Sequence, residues 1–446
     1  MPIADTADIV VIGAGGCGLM AALVAARAGA SVLLLEKTDA PGGGTAFSSR
    51  GIRAAGTRLQ RELGVVDGAQ QYAADILGRN DNESDAALTR RLAEVSGPVA
   101  DLLTDVVGIG FSLGEFVFGH SARRSHSWKE SAPITDFMFA AVQREQNVEV
   151  RFSTPVLSIE QDASGAVAGV KTESATISAR SVILASGGFG ASQELLAEYI
   201  PQAVGIPFPG HYGSTGDGIK MGLALGAGAA ALGSFQPYPA YVGPEKRSVP
   251  PEVTLAGAVM VSRQGQRFVD ETRYPGGLSA GILDLPGKQA CEIFDDRIYQ
   301  AHCGSLEAFA ERGLLRSAGT TEELADALGI DAGGLSRTVV ECNVTAGNGP
   351  DVFGRTLPAP LEAPFYGIWV KVALYHTQGG LMVNVDAQVL RPDHTPIPNL
   401  YAGGGVAVGV SGTGMAGYLP GNGQLASLGL GMIAGEHAAG SLRASG

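Results

Sequence analysis

Apolar residues near the start of the chain fall into two short runs separated by a longer segment of small residues. The runs cover residues 9–12 and 31–35, and the segment 19–28 between them is rich in alanine and leucine. A strand, a helix and a second strand in so few residues are typical of a parallel βαβ crossover. The pattern therefore predicts an α/β fold with a parallel sheet.

The middle of the chain has a different pattern of residue types. Residues 236–355 contain prolines, tyrosines and scattered charges without repeated βα units, whereas apolar runs that end in glycines return from residue 365 onward. Helical periodicity marks residues 82–107, and a helix of small residues is predicted for about 424–440. These changes predict a Rossmann-like domain built from both parts of the chain that flank an inserted α+β capping domain. The predicted boundaries are 1–235 and 356–446 for the first domain and 236–355 for the cap.

Composition narrows the class of protein. Of the 446 residues, 45% are apolar and 17% are charged, and the net charge is −13. This balance indicates a large core and argues against nucleic acid or an anionic membrane as a partner. The four cysteines and seven histidines show no paired or metal-ligand spacing, so we expect reduced thiols and no metal site. Because no signal sequence or membrane-length apolar segment is visible, we expect a cytoplasmic protein without an integral membrane segment.

A glycine motif follows the first apolar run. Gly13, Gly15 and Gly18 match the pattern GxGxxG between a predicted strand and a predicted helix, and Glu36 ends the next strand. The first glycine permits a tight turn, the second lets the backbone approach a pyrophosphate, and the third lets helix and strand pack closely. An acid at this distance accepts the ribose hydroxyls. The segment therefore predicts a dinucleotide-binding site.

Further glycine-rich segments decide which dinucleotide is expected. They are Pro41 to Thr45, Ser186 to Gly190, Thr215 to Gly218 and Asn399 to Gly404. In that order they resemble the flavoprotein superfamily of fumarate reductase, succinate dehydrogenase, L-aspartate oxidase and the 3-ketosteroid dehydrogenases. The resemblance covers essentially the whole chain and implies bound FAD, with a cap over the flavin. Only one GxGxxG of this quality is present, so no second, NADPH-binding domain is expected.

The resemblance also implies positions around the cofactor. It places Gly43, Gly44 and Thr45 at the isoalloxazine, Val156 at the adenine side and Asp217 near the ribose and phosphates. The remaining predicted cofactor residues are Lys37, Gly187, Gly404, Asn422 and Leu425.

Two departures from the family concern the cofactor. Relatives that attach FAD covalently use a histidine soon after the second glycine loop, but residues 46–49 read Ala-Phe-Ser-Ser, which predicts non-covalent binding. Many relatives also have an acid where Gly405 stands. The ribityl chain of the flavin is then expected to find another partner, such as backbone amides.

The cap signature leaves two candidates for proton transfer. Residues 267–271 resemble the RF(V/A)NE segment of the family, and the proton-transfer residue of relatives follows it. Without gaps it falls on Pro275, which cannot serve, so a small shift points to Tyr274 or Arg273. Tyr274 suits a ketone desaturase but requires a lowered pKa to act as a base, whereas Arg273 suits a fumarate-type reductase. Both also fit ordinary cap residues.

Two C-terminal segments bear on the substrate. His376 lies in a segment like the HTxGG of fumarate reductases, where the histidine binds a carboxylate; it is equally compatible with a bond to the flavin edge or a loop. Dicarboxylate enzymes carry an arginine before the last helix, but no arginine lies between Arg391 and Arg443. Tyr418 stands there instead, as in ketosteroid 1-dehydrogenases. Its hydroxyl and an amide near Gly421 or Asn422 are predicted to form an oxyanion hole.

Aromatic residues favour a cyclic, apolar substrate. Tyr238 stands where dicarboxylate enzymes often have a His-Pro-Thr segment, which removes a second carboxylate ligand. Pocket walls are one interpretation of four further aromatic residues, with ordinary core as the alternative: Phe116, Phe118, Trp128 and Phe137.

Three functions follow from these features. The first is FAD-dependent α,β-desaturation of a cyclic ketone, of 3-ketosteroid or cyclohexanone type, with Tyr418 polarising the carbonyl and Tyr274 taking the proton. The second is a fumarate-reductase-like reduction of an enoate or dicarboxylate with Arg273 and His376. The third is a flavin-binding protein without turnover of its own. The first two require a small-molecule ketone, enone or enoate and an external electron acceptor or donor.

Overall fold

The computed structural model describes residues 6–48, 51–115 and 119–444. Within these residues the backbone divides into two compact units. The first unit comprises 6–201, 210–235 and 376–444, and the second comprises 202–209 and 236–375.

The strands, in chain order, are β1 (Thr6–Ile12), β2 (Val32–Leu35), β3 (Gly51–Arg53), β4 (Ser112–Leu113), β5 (Ser125–Ser127), β6 (Val148–Arg151), β7 (Val156–Gln161), β8 (Val167–Thr172), β9 (Thr176–Leu184), β10 (Ala229–Ala230), β11 (Phe235–Val242), β12 (Arg247–Ser248), β13 (Val259–Val261), β14 (Gln289–Asp295), β15 (Leu315–Ala318), β16 (Phe365–Thr377), β17 (Gly380–Leu381), β18 (Gln388–Leu390) and β19 (Pro396–Ala402).

The α-helices are α1 (Gly16–Arg27), α2 (Arg58–Glu62), α3 (Ala69–Arg79), α4 (Ala86–Leu102), α5 (Ile134–Val142), α6 (Gln193–Tyr199), α7 (Asp217–Ala224), α8 (Pro251–Leu255), α9 (Gly276–Leu283), α10 (Asp296–Glu311), α11 (Thr321–Leu328), α12 (Ala332–Thr345) and α13 (Asn422–Ala444).

The main sheet of the first unit has the order β18-β19-β9-β1-β2-β6. Its strands from β19 to β6 pair in parallel, and β18 joins β19 antiparallel. All four residues of β2 are buried, as expected for a strand covered on both faces. Because β19 comes from the C-terminal part of the chain, the sheet draws strands from both sides of the insertion. The predicted α/β class is confirmed.

Small residues allow two helices of this unit to pack closely. A side chain on Gly431 of α13 would place its Cβ 2.5 Å from the carbonyl oxygen of Cys17 in α1, and one on Gly435 would come within 2.6 Å of that of Ala21. The glycine and alanine content of both helices is therefore a packing requirement. The sequence places the periodic segment at 82–107, and the structure divides it into α4 and a π-helical turn at Leu103–Val107.

The second unit contains a sheet of order β12-β11-β16-β14-β13, with β15 also paired to β16. Residues 365–371 of β16 pair antiparallel with β14. The unit therefore extends to residue 375, beyond the predicted cap boundary at 355. Helices α8 to α12 belong to the same unit.

Among the residues that the structure describes, no helix is both long and apolar enough to cross a membrane.

Candidate active site

The turn between β1 and α1 is built on glycine. Gly13 has φ +108°, and a Cβ there would lie 2.6 Å from the carbonyl oxygen of Ala185. A Cβ on Gly18 would lie 1.8 Å from the carbonyl oxygen of Gly13. Side chains at either position would push α1 away from the sheet.

The N-terminus of α1 offers a site for an anion. Its N-cap is Gly15, which supplies no side-chain acceptor, and the first turn contains no acid. The first backbone N–H groups of a helix have no intrahelical acceptor, and the helix dipole favours negative charge there. The second glycine loop lies beside this end, because Gly42 N–H donates to the carbonyl of Ala14 at 2.9 Å. This uncapped end fits the pyrophosphate of a dinucleotide.

Glu36 directly follows β2, and its carboxylate accepts hydrogen bonds from the loops on either side. Its carboxylate accepts the Ala14 amide at 2.8 Å and both the amide and hydroxyl of Thr38 at 2.9 Å. Lys37 forms an ion pair with Asp217, Nζ to Oδ2 at 2.6 Å, and donates to Thr215 at 2.7 Å. The structure therefore brings the predicted residues Glu36, Lys37 and Asp217 together around one end of the sheet.

Open space borders the second glycine loop. A Cβ on Gly44 would meet no atom within 4 Å, and Gly43 has φ +54°. Thr45 lies against α1, since a Cβ on Gly16 would come within 2.6 Å of its hydroxyl. A cavity of about 320 Å³ opens here, lined by Thr45, Ala46, Ser48, Trp128, Ser131, Pro133 and Ile134. The loop and cavity fit part of a flat ligand.

The other predicted cofactor residues lie at strand ends and turns of the first unit. Gly187 and Gly404 have φ +78° and +64°, and a Cβ on Gly404 would meet Cys17 at 3.2 Å. Val156 begins β7 and pairs with Thr172. Of the predicted aromatic pocket walls, Trp128 is buried, Phe137 is half-buried on α5, and Phe116 and Phe118 lie outside the described residues.

The start of α13 carries a polar cluster. The Asn422 side chain donates to the carbonyl of Val410 at 3.3 Å and to Ser411 Oγ at 3.1 Å, while its Oδ1 is buried without a hydrogen bond. The Leu425 amide donates to the carbonyl of Gly421 at 2.9 Å, so it is used within the helix. The orphaned Oδ1 of Asn422 is an acceptor that suits a ligand donor.

Tyr418 and Gly421 meet just before α13. The Gly421 N–H donates to the Tyr418 hydroxyl oxygen at 3.3 Å. Tyr418 is buried, and burial raises the pKa of its phenol above the ordinary value. The hydroxyl therefore stays protonated at neutral pH, accepts from the amide and keeps its own proton to donate. This is the pair that the sequence predicts, but in the structure the Gly421 amide already binds the tyrosine.

His376 packs against that tyrosine. The two rings are 5.8 Å apart in an edge-on arrangement, and a Cβ on Gly423 would lie 2.7 Å from His376 Nε2. Burial lowers the pKa of His376, which favours the neutral imidazole. A neutral ring is a weaker carboxylate ligand than the charged one, so the geometry suits support of Tyr418 better than the carboxylate binding considered from the sequence.

In the second unit, Tyr274 belongs to a cluster of three tyrosines. Its ring is 5.8 Å from that of Tyr238, which stacks on Tyr375 at 4.9 Å, and the hydroxyls of Tyr274 and Tyr238 share a hydrogen bond. Burial raises the pKa of Tyr274 well above its ordinary value, and Tyr238, Tyr375 and Glu292 raise it further. The lowered pKa that a base role for Tyr274 requires is therefore not found, because burial, the neighbouring phenols and a carboxylate all act to raise it.

Arg273 precedes this cluster and is exposed. Its stem lies over α9, where a Cβ on Gly277 would come within 2.7 Å of Arg273 Cβ. Among the described residues no carboxylate forms an ion pair with it. Its guanidinium is accessible to an anion.

Sequence reasoning missed two residues of the first unit. Arg53 ends β3 with its Nε buried and lacking a hydrogen bond, and the Tyr72 hydroxyl in α3 is in the same condition. The one signal for Arg53 is a charged residue in a short strand that follows the second glycine loop. No local signal marks Tyr72.

The parallel sheet, the uncapped helix and the glycine loops define a dinucleotide-binding protein of flavoprotein type. Residues 8–424 match the family model described as FAD binding domain, and the chain belongs to this family. It is thereby an FAD-dependent oxidoreductase of the fumarate reductase family, so the predicted cofactor class and the resemblance are confirmed.

The chain is similar both to fumarate reductases and to a ketosteroid dehydrogenase. The chain is 31% identical to NADH:fumarate oxidoreductase of Klebsiella pneumoniae over 97% of its own length, but it spans only about half, 47%, of that relative. It is similar to the open conformation of a flavocytochrome c3 fumarate reductase, with TM-score 0.83, 29% identity, and coverage of 98% of this chain and 78% of that one. It is also similar to 3-ketosteroid-Δ4-(5α)-dehydrogenase of Rhodococcus jostii RHA1, with TM-score 0.80, 25% identity and 97% coverage of both chains.

The glycine motif gives a direct test of cofactor binding. Gly18→Ala places a methyl group against the Gly13 carbonyl, and we expect this overpacking to cost about 1–3 kcal/mol, or roughly 5- to 150-fold in FAD affinity. FAD affinity is measured by titrating the apoprotein and following flavin fluorescence. Gly78→Ala is the control, because a Cβ there meets no atom within 4 Å. Equal FAD affinity of the two variants would contradict the assignment of the first loop.

Proposed function

We propose that this protein binds FAD non-covalently and catalyses α,β-desaturation of a cyclic ketone. The observation that carries the proposal is the contact between the Tyr418 hydroxyl and the Gly421 amide at the start of α13. The absence of histidine from residues 46–49 supports non-covalent binding. When bound, FAD supplies the hydride acceptor for the reaction.

Tyr418 is the proposed donor to the ketone oxygen. Its phenol is buried and protonated, and the Gly421 amide binds the same hydroxyl. A donor fixed in a dry site stabilises the negative charge that develops on the oxygen when the α-hydrogen leaves. His376 holds the ring in place from its edge. No arginine lies between residues 391 and 443. This segment therefore offers the substrate a neutral donor and no guanidinium that could bind a carboxylate.

Tyr274 is the proposed proton acceptor from the α-carbon, on the strength of its position after the cap signature. Its hydrogen bond with Tyr238 connects it to a second phenol, and the Tyr375 hydroxyl shares a hydrogen bond with Ser248 Oγ at 2.9 Å. Since burial raises the pKa of Tyr274, its phenolate is rare at neutral pH but strongly basic once formed. Activity limited by this group rises with pH.

The experiment is anaerobic mixing of the oxidised enzyme with cyclohexanone or a 3-ketosteroid while the flavin absorbance is recorded. We expect bleaching whose rate rises about tenfold per pH unit between about pH 6 and pH 9, because the phenolate fraction grows in that proportion below the pKa. Tyr274→Phe should abolish both the rate and its pH dependence. A rate that is flat or falls across this range would contradict the role of Tyr274, and no bleaching with any cyclic ketone would contradict the reaction.

A second candidate is the reduction of an enoate, favoured by the exposed guanidinium of Arg273 and by relatives that carry the name fumarate reductase. In this direction the enzyme with reduced flavin is reoxidised by fumarate or another unsaturated acid, and Arg273→Gln slows that step. Reoxidation by fumarate without bleaching by ketones would favour this candidate. In either case we propose that an external carrier exchanges electrons with the flavin.

A further inference from the structure

Arg53 lies against the loop that holds the Tyr418 hydroxyl. It is the last residue of β3, where it pairs with Ser125 of β5. A Cβ on Gly421 would lie only 2.3 Å from Arg53 Cγ. The aliphatic stem of the arginine therefore occupies the space beside Gly421, whose amide binds Tyr418. This contact places Arg53 in the same part of the first unit as the proposed carbonyl site.

The guanidinium of Arg53 has no carboxylate partner in the part of the chain that the structure describes. Its Nη1 donates to the carbonyl of Ile52 at 3.4 Å, and its Nε is buried without a hydrogen bond. Burial lowers its pKa, and among the described residues the Tyr72 and Tyr418 phenols oppose this shift. A half-buried cation without a counter-charge is costly to the folded protein.

Arg124, in the same unit, shows that an arginine there can have acidic partners. The Arg124 side chain is fully buried, but it forms ion pairs with Asp67, at 2.7 Å, and with Asp75. Its charge is thus neutralised within the fold. Arg53 differs in that no such acid is present around it among the described residues, so its partner is expected to come from outside the protein.

Two phenols lie near Arg53, and Gln424, whose Oε1 is buried without a hydrogen bond, lines the same small cavity. The Tyr72 hydroxyl is buried without a hydrogen bond, and the Tyr418 hydroxyl keeps its proton to donate. Electrostatic coupling links both phenols to Arg53. His120 is neutral, because burial lowers its pKa to about 4. Its Nε2 donates to the carbonyl of Pro420 at 2.8 Å. An unpaired guanidinium beside the orphaned Tyr72 hydroxyl favours an anionic acceptor.

We propose that Arg53 binds a carboxylate of the substrate, so that the substrate is an oxo acid rather than a neutral ketone. This inference rests on the proposed function for the keto group, which Tyr418 would hold while Arg53 holds the acid. Arg53 thereby replaces, from the N-terminal part of the chain, the guanidinium that the segment before α13 lacks. It acts as a specificity-determining residue, because a neutral ketone leaves its charge unpaired.

The experiment uses a probe without a keto group, so that failure of this inference is distinguishable from failure of the proposed reaction. Oxidised, FAD-loaded protein is titrated calorimetrically with cyclohexanecarboxylate and with its methyl ester. We expect the wild type to bind the acid at least about 10-fold more tightly than the ester, as hydrogen bonds to a charged group are stronger than neutral ones. Arg53→Gln should remove that preference, Arg53→Lys should keep part of it, and the surface variant Arg61→Gln should keep all of it.

Three results would overturn the proposal. Equal binding of acid and ester by the wild type does so without any variant, which covers the case in which Arg53→Gln fails to fold. An acid preference that survives in Arg53→Gln assigns the carboxylate to another residue. Loss of FAD from Arg53→Gln, with the acid preference intact in FAD-saturated protein, assigns the guanidinium to the cofactor.

Discussion

Replacing Tyr418 with phenylalanine is expected to slow flavin reduction by a cyclic ketone about 100- to 1,000-fold, the usual loss when one oxyanion-hole donor is removed. The ring keeps its packing against His376, so the variant removes only the hydroxyl. The hydroxyl is the group that the Gly421 amide positions, and burial keeps it protonated. The rate of bleaching is measured by anaerobic stopped flow at saturating ketone.

Tyr401→Phe is the matched control for this change. Tyr401 is also a buried tyrosine of the first unit, and its hydroxyl bonds His437 Nδ1 at 3.0 Å, away from the start of α13. We expect the control to change the rate less than about twofold, since removal of one ordinary hydrogen bond affects mainly stability. Similar rates in Tyr418→Phe and Tyr401→Phe would exclude Tyr418 as the carbonyl donor.

Glu271→Gln is expected to destabilise the second unit by about 3–5 kcal/mol, the usual cost of breaking a buried ion pair. The Glu271 carboxylate is fully buried and accepts from Arg267 at 2.7 Å, from Arg355 at 2.7 Å and from the Met260 amide at 2.9 Å. Asp351 pairs with Arg267 but not with Arg355. Loss of the Glu271 charge therefore leaves a buried guanidinium without a full counter-charge.

The free energy of unfolding is measured by equilibrium urea denaturation in a Trp128→Phe background. The chain has two tryptophans, so fluorescence then reports on Trp369 of the second unit alone. Glu307→Gln is the control, because Glu307 is exposed on α10, and its expected effect is below about 0.5 kcal/mol. A loss of less than about 1 kcal/mol in Glu271→Gln would mean that the buried network stabilises the unit little.

The glycine motif and the acid after it could be predicted from sequence because the residues involved lie close together in the chain. Gly13, Gly15 and Gly18 lie within one turn and one helix start, and Glu36 follows at the end of the next strand. The contact between Tyr418 and Gly421 is local as well, since only three positions separate them. Such arrangements depend on backbone geometry that the residue types themselves require.

The features that sequence reasoning missed depend on contacts between distant segments. The unpaired charge of Arg53 is visible only once β3 lies beside Gly421, more than 300 positions later in the chain. The raised pKa of Tyr274 depends on its burial and on Tyr238 and Tyr375, which come from separate strands. The extension of the second unit to residue 375 follows from the pairing of β16 with β14, which no local pattern specifies.

The central claim is that Tyr418 donates a hydrogen bond to the ketone oxygen of the substrate. Isotope-edited infrared difference spectroscopy of a ¹³C=O-labelled cyclohexenone bound to the oxidised enzyme measures this bond directly. We expect the carbonyl band to lie below its position in water in the wild type and in Tyr401→Phe, and to return to or above that position in Tyr418→Phe. The same band position in wild type and Tyr418→Phe, with the ligand bound in both, would contradict the claim.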